Sequence, residues 1–318
     1  MKNLIDKRYY KKIKAAYLIY KEGLPLQDTA KILGISRPTL SKLIDEMHEE
    51  GIVTIKIVDP NNYQENIRMG YEIKKKYGLK DVIVAEADSE SAEDIIASIG
   101  VMGAEYLQER IRSGMTIGTT GGRSIDAIVS NLDSTQKVSG ISVIATTGGS
   151  LYANSKYHPN TVAQHLADIY HGVGYFIYAP TYADNMEQKR MFLQNSQLAE
   201  TATHFQKVDV ALAGIADAET AMQYLPRPVE QWFTEAPQSE LIGAVNTFLL
   251  DRLGRPFPSS VADLNISIQP EQLRSIETVI SPAGGAEKHE AIRAVLEGHY
   301  IDVLITDQYT ARYLLDME

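Results

Sequence analysis

Residues 29–53 read TAKILGISRPTLSKLIDEMHEEGIV. Two short helical patterns meet here at a single glycine. The first runs from about Gln27 to Leu33, and Gly34 follows as a stop that tolerates positive φ. Ile35 plugs the corner, Ser36 can cap the next helix through its hydroxyl, and Pro38 falls in a first turn that needs no backbone donor. Leu40, Leu43, Ile44 and Met47 then recur at helical spacing, which turns Arg37, Pro38, Ser41 and Lys42 outward with Thr39 beside them. Upstream, Ile13, Ala16, Tyr17 and Tyr20 predict the apolar face of an amphipathic helix ended by Gly23 and Pro25. Downstream of Gly51, IVTIKIVDP alternates and predicts a strand or wing with Val53, Ile55 and Ile57 inward.

The arrangement resembles the helix-turn-helix of bacterial transcription regulators, with small Ala30 where the helices touch, Gly34 at the turn, and Leu40 and Leu43 inside the second helix. Two helices crossing steeply at a three-residue turn need a small contact residue and a glycine corner, and the second helix then projects into a major groove. Any two-helix corner in a globular domain could show the same spacing, so charge is the second witness. Residues 1–44 hold ten Lys/Arg against three Asp/Glu, a net +7; with −10 for the whole chain, the remaining 274 residues carry −17. A basic end on an acidic chain is a footprint for phosphates, although a solvated lysine-rich helix face would carry the same charge. On the DNA reading, Arg37 and Lys42 contact guanine or phosphate, Thr39 and Ser41 either base or backbone, and Pro38 lies among them. Asp45, Glu46, Glu49 and Glu50 gather at the far end of that helix, so only its N-terminal half would enter a groove of double-stranded operator DNA.

The chain has 318 residues, 44% of them hydrophobic, enough for two domains with proper cores. It has no cysteine, which removes disulfide scaffolds, thiolate zinc sites and cysteine nucleophiles and fits a reducing compartment. The start, MKNLIDKRYYKKIKAAYLIYKEG, lacks a signal-peptide pattern, and there is no apolar run of roughly 18 residues or more; the expectation is a cytoplasmic protein without membrane contact. The domain reading is 1–59 for the helix-turn-helix, 60–78 for a connecting helix after the break at Asp59–Asn62, and 79–318 for a larger α/β domain.

In that larger domain, short β-rich runs (DVIVAE, MTIGTT, ISVIATT, GYFIYAP, VDVALAGI, LIGAVNTFLLD, TVISPA, IDVLITD) alternate with helical stretches, among them 91–112, 162–171, 184–203 and 287–297. Such alternation predicts a largely parallel, doubly wound sheet, whose ligands sit beyond the carboxyl ends of the strands. Three of those ends are glycine-rich: Gly118, Thr119, Thr120, Gly121, Gly122, Arg123 and Ser124; Gly148 and Gly149; and Gly284 and Gly285 with Lys288 one turn on. Glycine lets backbone N–H groups approach an anion, a helix N-terminus adds positive potential, and Thr, Ser, Arg and Lys add donors. Together they describe a phosphate cradle. Each alone is equally a tight turn, and GTTGGRS satisfies neither a P-loop nor a GxGxxG turn.

With IGTTGGRS, DVALAGI and the closing segment VISPAGGAEKHEAIRAVLEGHYIDVLITDQYTARYLL, nearly the whole chain resembles the SorC family of sugar-responsive bacterial transcriptional regulators. The resemblance implies an N-terminal (winged) helix-turn-helix joined to a sugar-phosphate-isomerase-like effector domain. It also implies a sugar or sugar-phosphate effector bound by the glycine-rich residues and Lys288, a homo-oligomer, typically a tetramer, and no cofactor. One departure stands out. Where relatives often carry Gly-Asp, this chain has Asn246 and Thr247; surface or capping roles are the expectation for Asn246, Asp251 and Gln164, with hydroxyl binding as the alternative. The rival class is a sugar-phosphate isomerase or deaminase with Asp263 or Asp307 as base. A DNA-tethered scaffold without ligand is a third. Against catalysis stand the lack of a GxSxG elbow or HExxH motif, and seven histidines scattered without metal-ligand spacing.

Overall fold

The corner at Gly34 forms as its residues require. In the computed structural model, which describes residues 7–59, 63–135, 137–149 and 154–316, α1 is Lys7–Tyr20, α2 Leu26–Leu33 and α3 Arg37–Glu49. Gly34 takes the left-handed conformation (φ 63°, ψ 40°), and the Ile35 N–H reaches back to the Ala30 carbonyl at 3.0 Å. Ser36 Oγ accepts from the Thr39 N–H at 3.3 Å, and Pro38 stands in the first turn of α3. Ala15, Ala30, Leu33, Leu40, Leu43 and Met47 form the core of this unit. Each fully buried Leu or Met side chain contributes about 1.5–3 kcal/mol.

Two expectations about this unit are corrected. The face of α1 turned inward carries Lys12 and Ala15, while Ile13, Tyr17 and Tyr20 are exposed. Polar bonds set that rotation: Lys12 Nζ lies 2.9 Å from Glu46 and 2.6 Å from Glu50, and Arg8 lies 2.7 Å from Glu46. Bonding to Glu50 and Glu46 raises the Lys12 pKa, and bonding to Lys12 lowers that of Glu46. The second correction is the wing. Residues 51–59 form no strand, and Ile55 and Ile57 are 64% and 65% exposed. An alternating run needs a partner strand for its backbone groups, and none pairs with it among the described residues. Lys2 and Asp6 of the charge count and Pro60–Asn62 of the linker lie outside those residues.

Contacts divide the chain at 61/62 into two compact units. The larger begins with α4 (Tyr63–Tyr77), which buries Met69, Ile73 and Tyr77 in the main core while Ile67 and Tyr71 face outward. The helix read as a connector thus packs as part of this unit. It is followed by β1 (Asp81–Ala85), α5 (Ala92–Gln108), β2 (Thr116–Thr119), α6 (Arg123–Ser130), β3 (Ser142–Ala145), α7 (Pro159–Ile169) and β4 (Val173–Tyr175). Next come α8 (Met186–Leu193) and α9 (Ser196–His204), two helices where one was expected, because Asn195 Oδ1 caps the second. The rest is β5 (Val210–Leu212), β6 (Ile215–Asp217), α10 (Ala218–Met222), β7 (Gly243–Val245), β8 (Phe248–Leu250), α11 (Pro270–Ser275), β9 (Thr278–Pro282), α12 (His289–Glu297), β10 (Val303–Asp307) and α13 (Gln308–Asp316).

Seven strands form one parallel sheet in the order β1-β10-β9-β5-β2-β3-β4. Alternate residues of a strand point to opposite faces. Here Ile144, Ala211, Val279 and Leu304 join one core, whereas Val143, Leu212, Ile280 and Ile305 join the other. The first core includes residues of α4, α12 and α13, the second residues of α5, α6 and α7. The sheet is therefore covered on both sides, a doubly wound α/β arrangement. The run VDVALAGI is split at Gly214 into β5 and β6, and LIGAVNTFLLD is a hairpin; β6, β7 and β8 make a separate antiparallel sheet. That sheet carries a satellite core that includes Tyr182, Leu225, Leu249 and Phe257.

Candidate functional site

In the smaller unit, Arg37, Pro38, Thr39, Ser41 and Lys42 are all exposed on the first turns of α3. Arg37, Ser41 and Lys42 are unpaired among the described residues, while Thr39 Oγ1 lies 2.7 Å from Ser36 Oγ. Glu46 and Glu50, farther along the same helix, are held by Lys12 and Arg8. Positive and hydrogen-bonding groups thus stand at the helix start, where groove-reading helices present them.

In the larger unit the chain leaves β2 for α6 and later returns to β5 on the other side of β2, so the strand order reverses between β2 and β5. A cavity of about 530 Å³ opens at this edge, as expected of a switch point in a wound sheet. Thr120, Gly121, Gly122, Arg123, Ser124, Gly148 and Lys288, all expected at the site, line it. Gly121 has no room for a side chain, because a Cβ there would meet the Tyr157 carbonyl at 2.2 Å. The Gly122 N–H donates to that carbonyl at 3.0 Å, and at φ 121° Gly122 turns the chain into α6. No side chain caps α6, so its leading N–H groups are available to an anion. Asp126, buried in the first turn, is paired with Lys156 at 3.0 Å, which ties the turn bearing Tyr157 to α6.

Neither Arg123 nor Lys288 forms an ion pair among the described residues. Burial holds the Lys288 pKa below its ordinary value; the positive Arg123 acts in the same sense and the carboxylates of Glu287 and Asp217 in the opposite one. An unpaired, partly desolvated ammonium gains most from an incoming anion. Asp217 is itself engaged at the start of α10, where it accepts from Thr220 N–H and Oγ1 at 2.8 and 2.9 Å.

The remaining expected residues lie elsewhere. Gly118 and Thr119 are inside β2, where a Cβ on Gly118 would meet Thr146 at 2.9 Å. Gly149 packs against the His158 ring, and Gly284 against the Asp307 carboxylate. The Gly285 N–H donates to Asp307 Oδ2 and Thr310 Oγ1, each at 3.0 Å. Asp307 also accepts from the N–H groups of Tyr309 and Thr310 and from the Thr310 hydroxyl. Its carboxylate is fully engaged in holding this turn, and Asp263 is exposed; neither lines the cavity. Among the described residues no cluster of His, Asp and Glu could hold a metal ion, and no helix is long and apolar enough to cross a membrane.

The surface or capping role expected of Asn246 is corrected: it and Thr247, to which no role was given, line the cavity. They are the two turn residues between β7 and β8, at φ 45° and 76°. Asn246 is 2% exposed. Its Oδ1 accepts from Thr146 Oγ1 at 2.8 Å, its N–H donates to the Gly214 carbonyl at 3.1 Å, and its Nδ2 has no partner. Tyr182 donates to the Thr247 carbonyl at 2.5 Å and Asn265 Nδ2 to Thr247 Oγ1 at 3.0 Å. Asp251 and Gln164 do behave as surface and capping groups: Asp251 accepts from Leu253 and Arg255 N–H, and Gln164 bonds Asp168. The available signal was a pair of turn-prone residues between two apolar runs, which marks a hairpin.

Residues 61–316 match the sugar-binding domain family, and residues 6–54 a homeodomain-like domain. The chain belongs to the SorC family of sugar-binding transcriptional regulators. It is 29% identical to the sorbitol operon regulator of Klebsiella pneumoniae, covering 95% of this chain and 96% of that one. It is 27% identical to the deoxyribonucleoside regulator of Bacillus subtilis, covering 96% of each. The crystal structure of the full-length sorbitol operon regulator SorC from Klebsiella pneumoniae superposes with a TM-score of 0.74 at 27% identity, over 97% of this chain and 99% of that chain. Like these SorC family members, the chain joins a helix-turn-helix to a sugar-binding α/β domain.

Proposed function

We propose that this chain is a ligand-gated transcription factor of a carbohydrate utilisation operon. The first turns of α3 enter the major groove of operator DNA, with Arg37 and Lys42 on guanine or phosphate and Thr39 and Ser41 beside them. A sugar or polyol phosphate occupies the cavity of the larger unit, its phosphate at the start of α6 between Arg123 and Lys288. The observation that carries this reading is the uncapped N-terminus of α6 opening into a cavity that also holds two unpaired cations. The ligand acts by binding one arrangement of a homo-oligomer more tightly than another, which changes how two reading helices match their half-sites. The expected oligomer is a tetramer, and the expected location the cytoplasm. The regulator reading is preferred to the isomerase one because the similar proteins are named as regulators and the carboxylates considered as bases, Asp307 and Asp263, do not line the cavity.

Fluorescence anisotropy on a promoter fragment tests the whole scheme. Specific binding should exceed that to random duplex, weaken steeply with salt, and shift when D-sorbitol 6-phosphate or 2-deoxyribose 5-phosphate is added. Equal affinity for promoter and random duplex under every condition would overturn it.

A further inference from the structure

We infer that the outward face of α1 is a contact surface for the α1 helix of a second copy of this chain, paired in parallel, so that two helix-turn-helix units meet through Tyr10, Ile13 and Tyr17. The inference rests on the homo-oligomer reading and says which surface brings two readers together.

Tyr10, Ile13 and Tyr17 are 60%, 42% and 56% exposed. Their spacing lines them along one side of α1, away from Lys12 and Ala15, which are buried against the rest of the unit. An amphipathic helix ordinarily buries its apolar side chains and leaves its lysines in water. This one does the reverse, because Lys12 is drawn under α3 by Glu46 and Glu50 at 2.9 and 2.6 Å. A buried ion pair adds little net stability over an apolar replacement, and its best attested use is to fix how elements seat on one another. Here it fixes the rotation of α1, and with it the exposure of an apolar stripe. Single apolar residues at a surface need no explanation, but a contiguous row marks a contact.

The charges beside the row say what covers it. Residues three and four apart take successive a, d and a positions of a two-stranded coiled coil. With Tyr10 and Tyr17 at a and Ile13 at d, Lys7 and Lys14 fall at e, and Tyr9 and Ala16 at g. In an antiparallel pair e faces e, which would set the lysines of the two copies against each other. In a parallel pair e faces g, which sets Lys14 beside Tyr9 of the second copy, where a cation and an aromatic ring attract. The distribution of charge thus favours a parallel partner identical to this helix.

The contact is short. Tyr20, at the next d position, is engaged within the unit: its hydroxyl lies 3.1 Å from His48 Nε2, with the two rings edge to face at 6.1 Å. Three side chains from each copy cover less area than a free-standing interface needs. The pairing therefore depends on association of the larger units, which raises the effective concentration of one α1 beside another. A parallel pair has its two-fold axis along the helices, and a two-fold axis is what two half-sites of one operator require.

The chain has no cysteine, so one introduced thiol reports contact without background. Full-length Tyr10→Cys, Ile13→Cys and, on the exposed side of α2, Lys31→Cys are oxidised with copper phenanthroline and separated on a non-reducing gel. Ile13→Cys should give a covalent dimer. Tyr10→Cys should do so as well, and only in a parallel pair, because in an antiparallel one the two thiols lie about 10 Å apart along the helices, beyond disulfide reach. Lys31→Cys should link at least about tenfold more slowly. If neither α1 thiol links in a chain that sediments as an oligomer, this inference is overturned and the homo-oligomer reading stands. Linkage through Ile13→Cys without Tyr10→Cys overturns the parallel pairing, and equal rates for Ile13→Cys and Lys31→Cys reduce the contact to chance collision. A chain that sediments as a monomer and does not link overturns the homo-oligomer reading, and this inference with it. In anisotropy, Ile13→Asp should lower promoter affinity about tenfold and leave affinity for random duplex within about twofold. An equal loss on both duplexes would put this face of α1 against DNA and overturn the assignment.

Discussion

Among the described residues Arg37 and Lys42 are exposed and unpaired, so their charge is available to phosphate or base. Replacing both by Ala is expected to lower promoter affinity by about tenfold or more, and to reduce the salt slope by roughly one for each side chain that touches phosphate. Unchanged promoter affinity in an anisotropy titration would show that another face reads the DNA. Lys288 gives a pH signature. Burial lowers its pKa from the ordinary 10.5 in the empty cavity, so between the lowered value and 10.5 the folded chain binds fewer protons than the unfolded one, and stability rises with pH there. A bound phosphate favours the ammonium and raises that pKa again. Binding near the lowered value should therefore take up a proton, and affinity should fall with rising pH before an exposed lysine would lose its charge. Titrations in buffers of different ionisation enthalpy measure the uptake. Lys288→Met should abolish it and weaken phosphate binding while leaving promoter affinity as it was.

At the scale of elements, the corner at Gly34 and the turn at Gly122 were legible because each position tolerates little but glycine, and the residue type announces the backbone. Gly34→Ala places a Cβ at φ 63° and is expected to destabilise the small unit by about 1 kcal/mol in a denaturant titration, with no effect on phosphate binding. The α/β alternation was equally readable, and the sequence put the α6 turn and Lys288 together, both of which line the cavity. What misled was pattern without partners. The alternation Val53–Ile55–Ile57 promised a strand, but among the described residues no neighbouring strand pairs with it. The apolar stripe of α1 promised an inner face, but Lys12 is drawn under Glu46 and Glu50, and four apolar residues cannot show in a linear sequence that a lysine outbids them. Asn246 was expected at the surface for a related reason: its burial comes from Thr146, Gly214 and the β7–β8 hairpin, which lie far from it or fold back on it. Gly118, Gly149, Gly284 and Gly285 looked alike in sequence, yet they serve packing against Thr146, His158 and Asp307.

For the whole molecule, the separation of charge in sequence has a counterpart in its two units, since the cations of α3 and the cavity belong to different bodies of the fold. Two symmetric half-sites call for paired readers, and sedimentation of the purified chain is expected to give a mass near four times the 35.3 kDa of one chain. A monomer that still discriminates promoter from random duplex would remove the symmetric scheme. The central sheet limits how such a molecule can change. Successive residues of β5 and β10 alternate between two buried layers, so inserting a single residue into either strand would exchange the layers and expose what both now hide. Connections beyond the carboxyl ends carry no such parity. Chain length can drift in the turns at the mouth of the cavity, which would change what the proposed effector pocket admits, with the layers beneath left as they are.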